Sequence, residues 1–202
     1  MDLSHTTAQP KRTASLGAYQ SNAHEISRSM LLWAWIQRLG LAFFIVLLCR
    51  LFVVDTLEVK GESMSPALHS GETMLLNKVA YRFGEPQRGD VVICRYPGLQ
   101  DNFVKRIIAL PGERVSVKNH TLYIDDQPVQ ENYILEQMAN SMTEVIVPDG
   151  CYFVMGDNRN DSKDSRDNRV GALEKKALLA KVTAVSWPLP EWRTIPRQAP
   201  TQ

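Results

Sequence analysis

The sequence predicts a mainly β chain in which a single N-terminal transmembrane helix precedes an all-β domain. Three observations predict it: an apolar stretch from Met30 to Val54, a switch to two-residue periodicity after Asp55, and turn-forming pairs at short intervals up to about Pro190. The length of 202 residues allows one domain with extras. Hydrophobic residues make up 44%, enough for a globular core and too many for a disordered chain. Lys+Arg 23 against Asp+Glu 22 leaves a net charge of +1, so no global field recruits nucleic acid or an anionic surface. Three cysteines without C-x-x-C spacing exclude a disulfide scaffold and structural zinc.

Residues 1–29 are rich in Ser, Thr, Ala and Gln, with scattered Lys11, Arg12 and Arg28, and read as a flexible cytoplasmic tail. Residues 30–54 read as the transmembrane helix. With Arg38 taken as interfacial, Leu39 to Val54 spans sixteen residues, or ~24 Å, short of a ~30 Å hydrocarbon core. Snorkelling of Arg50 and an aromatic belt at Trp33 and Trp35 reduce the shortfall. A buried soluble helix and a cleaved signal peptide are the competing readings. Arg50 within the run favours the first, while the residues after it argue against it. The second is weakened by the long front segment and by Arg50 inside the apolar run. Arg28 and Arg38 precede the span, whereas Lys60 is the one nearby basic residue clearly beyond it. The positive-inside bias therefore puts the tail in the cytoplasm and everything after Val54 on the far, extracytoplasmic side.

Residues 55–190 read as the β-rich domain and residues 191–202 as a C-terminal tail. Alternation marks strands at Arg114–Lys118 and Thr121–Asp125. Further strand-like runs are Leu57–Lys60, Thr73–Val79, Val91–Tyr96, Phe103–Leu110, Val145–Val147, Cys151–Met155 and Ala180–Trp187. Ser70-Gly71, Arg88-Gly89, Pro111-Gly112, Asn119-His120, Asp125-Asp126 and Asp149-Gly150 supply turns between them. One short helix is expected around Ala172–Leu179.

Three segments carry chemistry. Ser63 stands where the strand-like Leu57–Lys60 ends and a Pro-fixed loop begins, so its hydroxyl can be exposed yet held. It needs a base. His5 and His24 lie in the tail, while His69 and His120 lie at turns, and none is a persuasive partner. Lys105 lies in the apolar strand Phe103-Val104-Lys105-Arg106-Ile107-Ile108, whose alternation puts Lys105 and Arg106 on opposite faces. One of the two charges must then face the apolar side. To act as a base, Lys105 must lose its proton far below the ordinary ~10.4 of a lysine, which burial among Phe, Val and Ile favours. The third segment, Gly156 to Arg166, has six charges in eleven residues. A calcium loop fails on register, since Arg159 or Lys163 falls at the third ligand position. What remains is a polar lattice able to present Ser162.

In this order the segments resemble the bacterial type I signal peptidases, or leader peptidases, which use a serine-lysine dyad. Ser63-Met64-Ser65-Pro66-Ala67-Leu68 is similar to the family's nucleophile box, and Arg88-Gly89-Asp90-Val91-Val92 to the next. Val104 to Glu113 is similar to its lysine box, and Gly156-Asp157-Asn158-Arg159 through Asp164-Ser165-Arg166 to its last. The resemblance implies an all-β signal-peptidase-like catalytic domain with Ser63 as nucleophile and Lys105 as general base. It further implies that Ser162 orients the lysine amine, that Asp164 and Arg166 form a supporting ion pair, and that the Ser63 N–H serves the oxyanion hole. Met64 and Pro66 are expected to contact substrate. Several relatives carry a donor serine where this chain has Gly61, so that donor is absent; other members also have glycine there. Ala67 replaces the usual threonine.

The implied activity is a serine endopeptidase that removes signal peptides from exported preproteins after small-x-small motifs, through an acyl-enzyme and without cofactor or metal. Its partners are preprotein signal peptides and the lipid bilayer, not nucleic acid, and the chain is expected to be a monomer. Trp187 and Trp192, flanking prolines, suggest a further interfacial contact. Cys94 and Cys151 are expected as free thiols. A catalytically inactive tethered scaffold is the alternative, disfavoured by retention of every dyad position. A self-cleaving SOS-type repressor lacks both its DNA-reading domain and the Ala-Gly or Cys-Gly bond it cleaves.

Overall fold

The computed structural model describes residues 28–201. The expected tail therefore lies almost wholly outside the described residues. The chain divides into two compact units between Leu47 and Leu48. The first contains most of helix α1 (Arg28–Phe52). Its Met30–Arg50 stretch, 21 residues, is long and apolar enough to cross a membrane, and none of it is buried. At ~1.5 Å per residue it measures about 31 Å, the thickness of a hydrocarbon core. The shortfall expected from counting only Leu39 to Val54 disappears because helix and apolar run begin a full two turns earlier. The helix also stops at Phe52, and Val54 opens the first strand instead of closing the span.

In the second unit the strands are β1 (Val54–Glu58), β2 (Thr73–Asn77), β3 (Val91–Arg95), β4 (Asn102–Ala109), β5 (Arg114–Lys118) and β6 (Thr121–Ile124). They continue as β7 (Gln127–Pro128), β8 (Met142–Ile146), β9 (Cys151–Met155), β10 (Leu173–Glu174), β11 (Leu178–Trp187) and β12 (Arg193–Thr194). A large antiparallel sheet runs β1-β2-β11-β3-β4-β9-β10, with β12 added to β11; a smaller one runs β7-β6-β5-β8. The hairpins of the smaller sheet turn at Asn119-His120 and Asp125-Asp126, all four at positive φ. Paired left-handed residues give a turn whose twist suits the flanking strands, and Asn and Asp tolerate that conformation best among residues with side chains.

The large sheet is covered on both faces, which is why β3 is buried at four successive residues instead of alternate ones. Val91 and Ile93 pack with Val59, Met64, Leu68 and Met74, while Val92 and Cys94 pack with Ile107, Tyr152 and Val154. A third cluster joins Val115, Val117, Leu122 and Ile124 of the small sheet to Ile108, Phe153 and Met155.

The same double covering changes the fate of the two charges on β4. Lys105 pairs with Val92 and Arg106 with Val91, so they do face opposite ways. Both are buried, at 2% and 0% exposure. Arg106 is neutralised by a fork-to-fork pair with Asp157, Nε to Oδ1 at 2.8 Å and Nη2 to Oδ2 at 2.6 Å. Its Nη1 donates to the Gly89 carbonyl, and the guanidinium stacks 4.6 Å from the Tyr133 ring centre.

Two expectations are corrected. Ala172–Leu179 is not a helix: β10 and β11 flank a three-residue 3-10 turn at Lys175–Ala177, because Leu173 and Leu178 must both reach the core under the sheet. Nor do residues 191–201 form a detached tail. Arg193 and Thr194 pair with β11, Thr201 bridges to Gln130, and the chain crosses Gly89 so closely that a Cβ there would sit 2.6 Å from Ala199 N. Trp187 and Trp192 are both exposed.

Burial pushes the Asp157 carboxyl above its ordinary range while Arg106 pulls it down, so the pair contributes chiefly through the cost of breaking it. Asp157→Ala strands a fully buried guanidinium and is expected to remove about 3–5 kcal/mol of stability. Urea unfolding of the full chain in detergent, followed by tryptophan fluorescence, measures it; a loss below about 1 kcal/mol would show the charge to be otherwise compensated.

Candidate active site

The loop after β1 is held from both sides. Ser65 N–H donates to the Glu62 carbonyl and Leu68 N–H to Met64, winding residues 62–68 into successive turns. The side chains of Met64 and Leu68 plug into the core between β2 and β3. From across the sheet, Asn158 N–H donates to the Ser63 carbonyl at 3.1 Å and Asn158 Nδ2 to the Glu62 carbonyl at 3.2 Å. Ser63, half-buried between these anchors, has little freedom to move.

Lys105 comes to it from β4, with Nζ 2.7 Å from Ser63 Oγ. That is the amine's one hydrogen bond to protein among the described residues, and no carboxylate touches it. Burial pushes the ammonium below its ordinary value of 10.5, and Arg166 adds to this; Asp164, Cys94 and Asp157 oppose it from a distance without reversing the direction.

A cleft of about 390 Å³ opens beside the pair. One wall is Leu57–Gly61, the other Asp101–Lys105. Each wall has a free strand edge. β1 is the terminal strand of its sheet, and β4 pairs with β9 only from Arg106 onward, leaving one edge of Asn102–Lys105 unpaired. Met64 lines this cleft, as expected of a substrate contact, whereas Pro66 does not: it lines a separate hollow with Arg106, Tyr133 and Arg193. The turn at Ser65-Pro66 carries the proline ring away from Ser63.

Asp164, 1% exposed, organises the far side. It accepts the Gly156 N–H at 3.0 Å, the Ser162 hydroxyl at 2.7 Å and two nitrogens of Arg166 at 2.8 Å each. Burial alone raises this carboxyl; Arg166 and the two smaller donors outweigh it and hold it below the ordinary range. Arg166 continues to the Arg159 carbonyl at 2.7 Å. The sequence-level expectation had Ser162 bonded to the lysine. Instead its hydroxyl proton is committed to Asp164, leaving only oxygen lone pairs for any other group.

Among the described residues the N–H groups of Ser63 and Met64 donate to no protein acceptor. Gly61 has φ +88 with nothing within 4 Å of its Cβ position, so backbone conformation and not space excludes a serine there.

Residues 32–187 match the family described as signal peptidase, peptidase S26. The chain belongs to this family. Among its curated relatives, a probable signal peptidase I-1 of Synechocystis sp. is 44% identical over 135 residues, covering 63% of this chain and 69% of its own length. A signal peptidase I of Bacillus licheniformis is 38% identical over 172 residues, covering 80% and 92%. A crystal structure of a signal peptidase I from Enterococcus faecalis is 30% identical with TM-score 0.45, covering 50% of this chain and 98% of that one. This S26 chain is accordingly a serine peptidase.

Sequence reasoning missed the supports of the site. Glu131 and Tyr133 brace the polar loop by pairing with and stacking on Arg159, and Asn158 clamps the serine loop. Glu131 and Tyr133 come from an irregular stretch with no periodicity to advertise them. The two histidines among the described residues have other partners: His69 lies 3.3 Å from Ser65 Oγ, and His120 contacts the Met138 carbonyl; His5 and His24 lie outside the described residues. Cys94 and Cys151 are free thiols.

Gly156 is where the serine loop, Ser162 and β9 converge. A Cβ there would overlap both Ser162 Oγ and the Ser63 carbonyl oxygen. Gly156→Ala is expected to displace the serine loop and lower peptidase kcat/KM at least ~100-fold while far-UV circular dichroism stays native. Wild-type kcat/KM on a peptide substrate would show that the loop tolerates the shift.

Proposed function

We propose that the chain is a membrane-anchored endopeptidase that removes N-terminal signal peptides from exported preproteins by a Ser63–Lys105 dyad. The observation that carries this reading is the 2.7 Å contact between Lys105 Nζ and Ser63 Oγ, made by a lysine buried without a touching counter-charge. Family membership and relatives named signal peptidase I support the same substrate class.

In this mechanism the reactive form is the neutral amine, toward which burial biases Lys105, with the Ser63 hydroxyl donating to its lone pair. As Ser63 Oγ attacks the scissile carbonyl, its proton passes to Nζ and the carbonyl oxygen gains negative charge. The unpaired Ser63 N–H, with the Met64 N–H beside it, is the donor set available to that oxygen; each such donor is typically worth ~3 kcal/mol. Lys105 then gives the proton to the leaving amine as the C–N bond breaks, producing an ester at Ser63. A water delivers its proton to the same amine and attacks the ester, and the proton returns to Ser63 as the acid product leaves. Asp164 and Arg166 act as positioning residues, fixing the polar loop behind the lysine through Gly156 and Ser162.

The substrate lies extended in the cleft, adding its backbone to the free edges of the Leu57–Gly61 and Asn102–Lys105 walls. Alternate side chains then point into the cleft, and the specificity proposed is for small residues at the first and third positions before the bond. Met30–Arg50 is the anchor, with the catalytic unit on the extracytoplasmic side, where signal peptides emerge from the bilayer. Sharing one membrane with the substrate's apolar helix raises their effective concentration. Trp187 and Trp192 add an aromatic contact to the interface.

Ser63→Ala and Lys105→Ala are each expected to abolish cleavage of an exported precursor, read by sequencing the new N-terminus; substantial processing by either folded variant would reject the dyad. The pH profile follows from the sign of the shift. Because the folded lysine binds its proton more weakly than a free one, kcat/KM should rise with pH as the amine deprotonates and level off below 10.5. The same shift makes the fold gain stability as pH climbs from the depressed value toward that of the unfolded lysine. A limb controlled by a group near 6.5 would point to histidine instead.

A further inference from the structure

Peptide hydrolysis leaves unused a cavity of about 640 Å³ that shares no residue with the cleft beside Ser63. Four cations line it, Lys78, Arg82, Lys175 and Lys176, together with Phe52, and no carboxylate does. The fold gathers these cations from three places. Lys78 follows β2 and donates its N–H to the Val53 carbonyl at 2.9 Å, next to the end of α1. Arg82 sits on the short helix α2 (Ala80–Phe83), which packs on β11, and Lys175 and Lys176 form the 3-10 turn that leads into β11. Three of them have acidic neighbours outside the lining: Asp55 at 3.5 Å from Lys78, Glu85 at 2.7 Å from Lys175 and Glu174 beside Lys176. Arg82 pairs with no carboxylate among the described residues.

The second observation is position. Phe52 is two residues beyond Arg50, the end of the Met30–Arg50 stretch, and Phe52 itself lines the cavity. Covalent connection therefore keeps the cavity within a few ångströms of the place where the anchor leaves the hydrocarbon, the depth of the headgroup phosphates. We propose that it binds the phosphate of an anionic phospholipid of the phosphatidylglycerol type, an assignment that rests on the membrane-anchored reading above. Guanidinium and ammonium groups supply charge-assisted donors for the phosphodiester. Phe52 and the half-buried Leu179 offer apolar surface to the glycerol and acyl ends, which a free phosphate would not use. Lipid also has the higher local concentration at that depth.

The test uses the full chain in nanodiscs of equal phosphatidylglycerol and phosphatidylcholine, with bound lipid read by native mass spectrometry after release. Wild type should retain phosphatidylglycerol over phosphatidylcholine. Arg82→Gln should reduce that preference roughly five-fold, and the double variant with Lys176→Gln roughly 25-fold. Arg82→Lys should keep most of it, and Lys118→Gln, on the other sheet, all of it. None of these residues belongs to the catalytic machinery, so unchanged cleavage of a soluble peptide certifies the fold of each variant. Equal retention of the two lipids, an undiminished preference in both glutamine variants, or complete displacement of lipid by millimolar inorganic phosphate would each overturn the headgroup site. Alkaline carbonate extraction reads the anchor separately: a chain released by alkali overturns the membrane reading, whereas a retained chain without lipid preference overturns only this proposal.

Discussion

Burial of one amine without a counter-ion in contact is the constraint around which the catalytic unit is built. An ammonium in that position is costly, which biases Lys105 toward the neutral form that the proposed mechanism needs as its base. The arrangement works because the nearby carboxylates are occupied elsewhere. Asp164 is satisfied by Arg166, Gly156 and Ser162, and Asp157 by Arg106. Either carboxylate, turned toward Lys105, would favour the ammonium and oppose the role proposed for it.

This explains why so many charges lie inside a small β unit. Arg106, Asp157, Arg159, Glu131 and Asp164 are all buried or nearly so, yet no buried side-chain polar atom among the described residues lacks a partner. Such networks contribute little net stability compared with apolar packing. They contribute placement: β9 delivers Gly156, the polar loop folds back through Asn158, and the serine loop is gripped at Glu62 and Ser63. A purely apolar core would pack as densely but would offer nothing to hold an amine and a hydroxyl in fixed register.

Much of this was legible from residues in order. Period-two alternation located β5 and β6, strand-like runs located most of the other longer strands, and Asn-His and Asp-Asp pairs located the hairpin turns, because all three signals are local. The short strands β7, β10 and β12 were not legible, since two residues carry no periodicity and exist only through their partners. Ser63, Lys105, Asp164 and Arg166 were visible as a family pattern, while the bond from Ser162 to Asp164 and the exclusion of Pro66 from the cleft were not. Both depend on where a loop turns after folding. The cation-lined cavity was hidden more deeply, since Lys78, Arg82, Lys175 and Lys176 average away in a net charge of +1.

By itself the sequence determined an apolar N-terminal run, a β-patterned remainder, and which side chains are chemically able to attack, to accept a proton and to pair. These follow from composition and spacing along one dimension. Tertiary structure alone decided that both faces of the β4 strand are covered, so that Lys105 is dry and Arg106 must find Asp157. Covering a face requires elements far apart in the chain, and the free energy of a charge depends on everything that surrounds it.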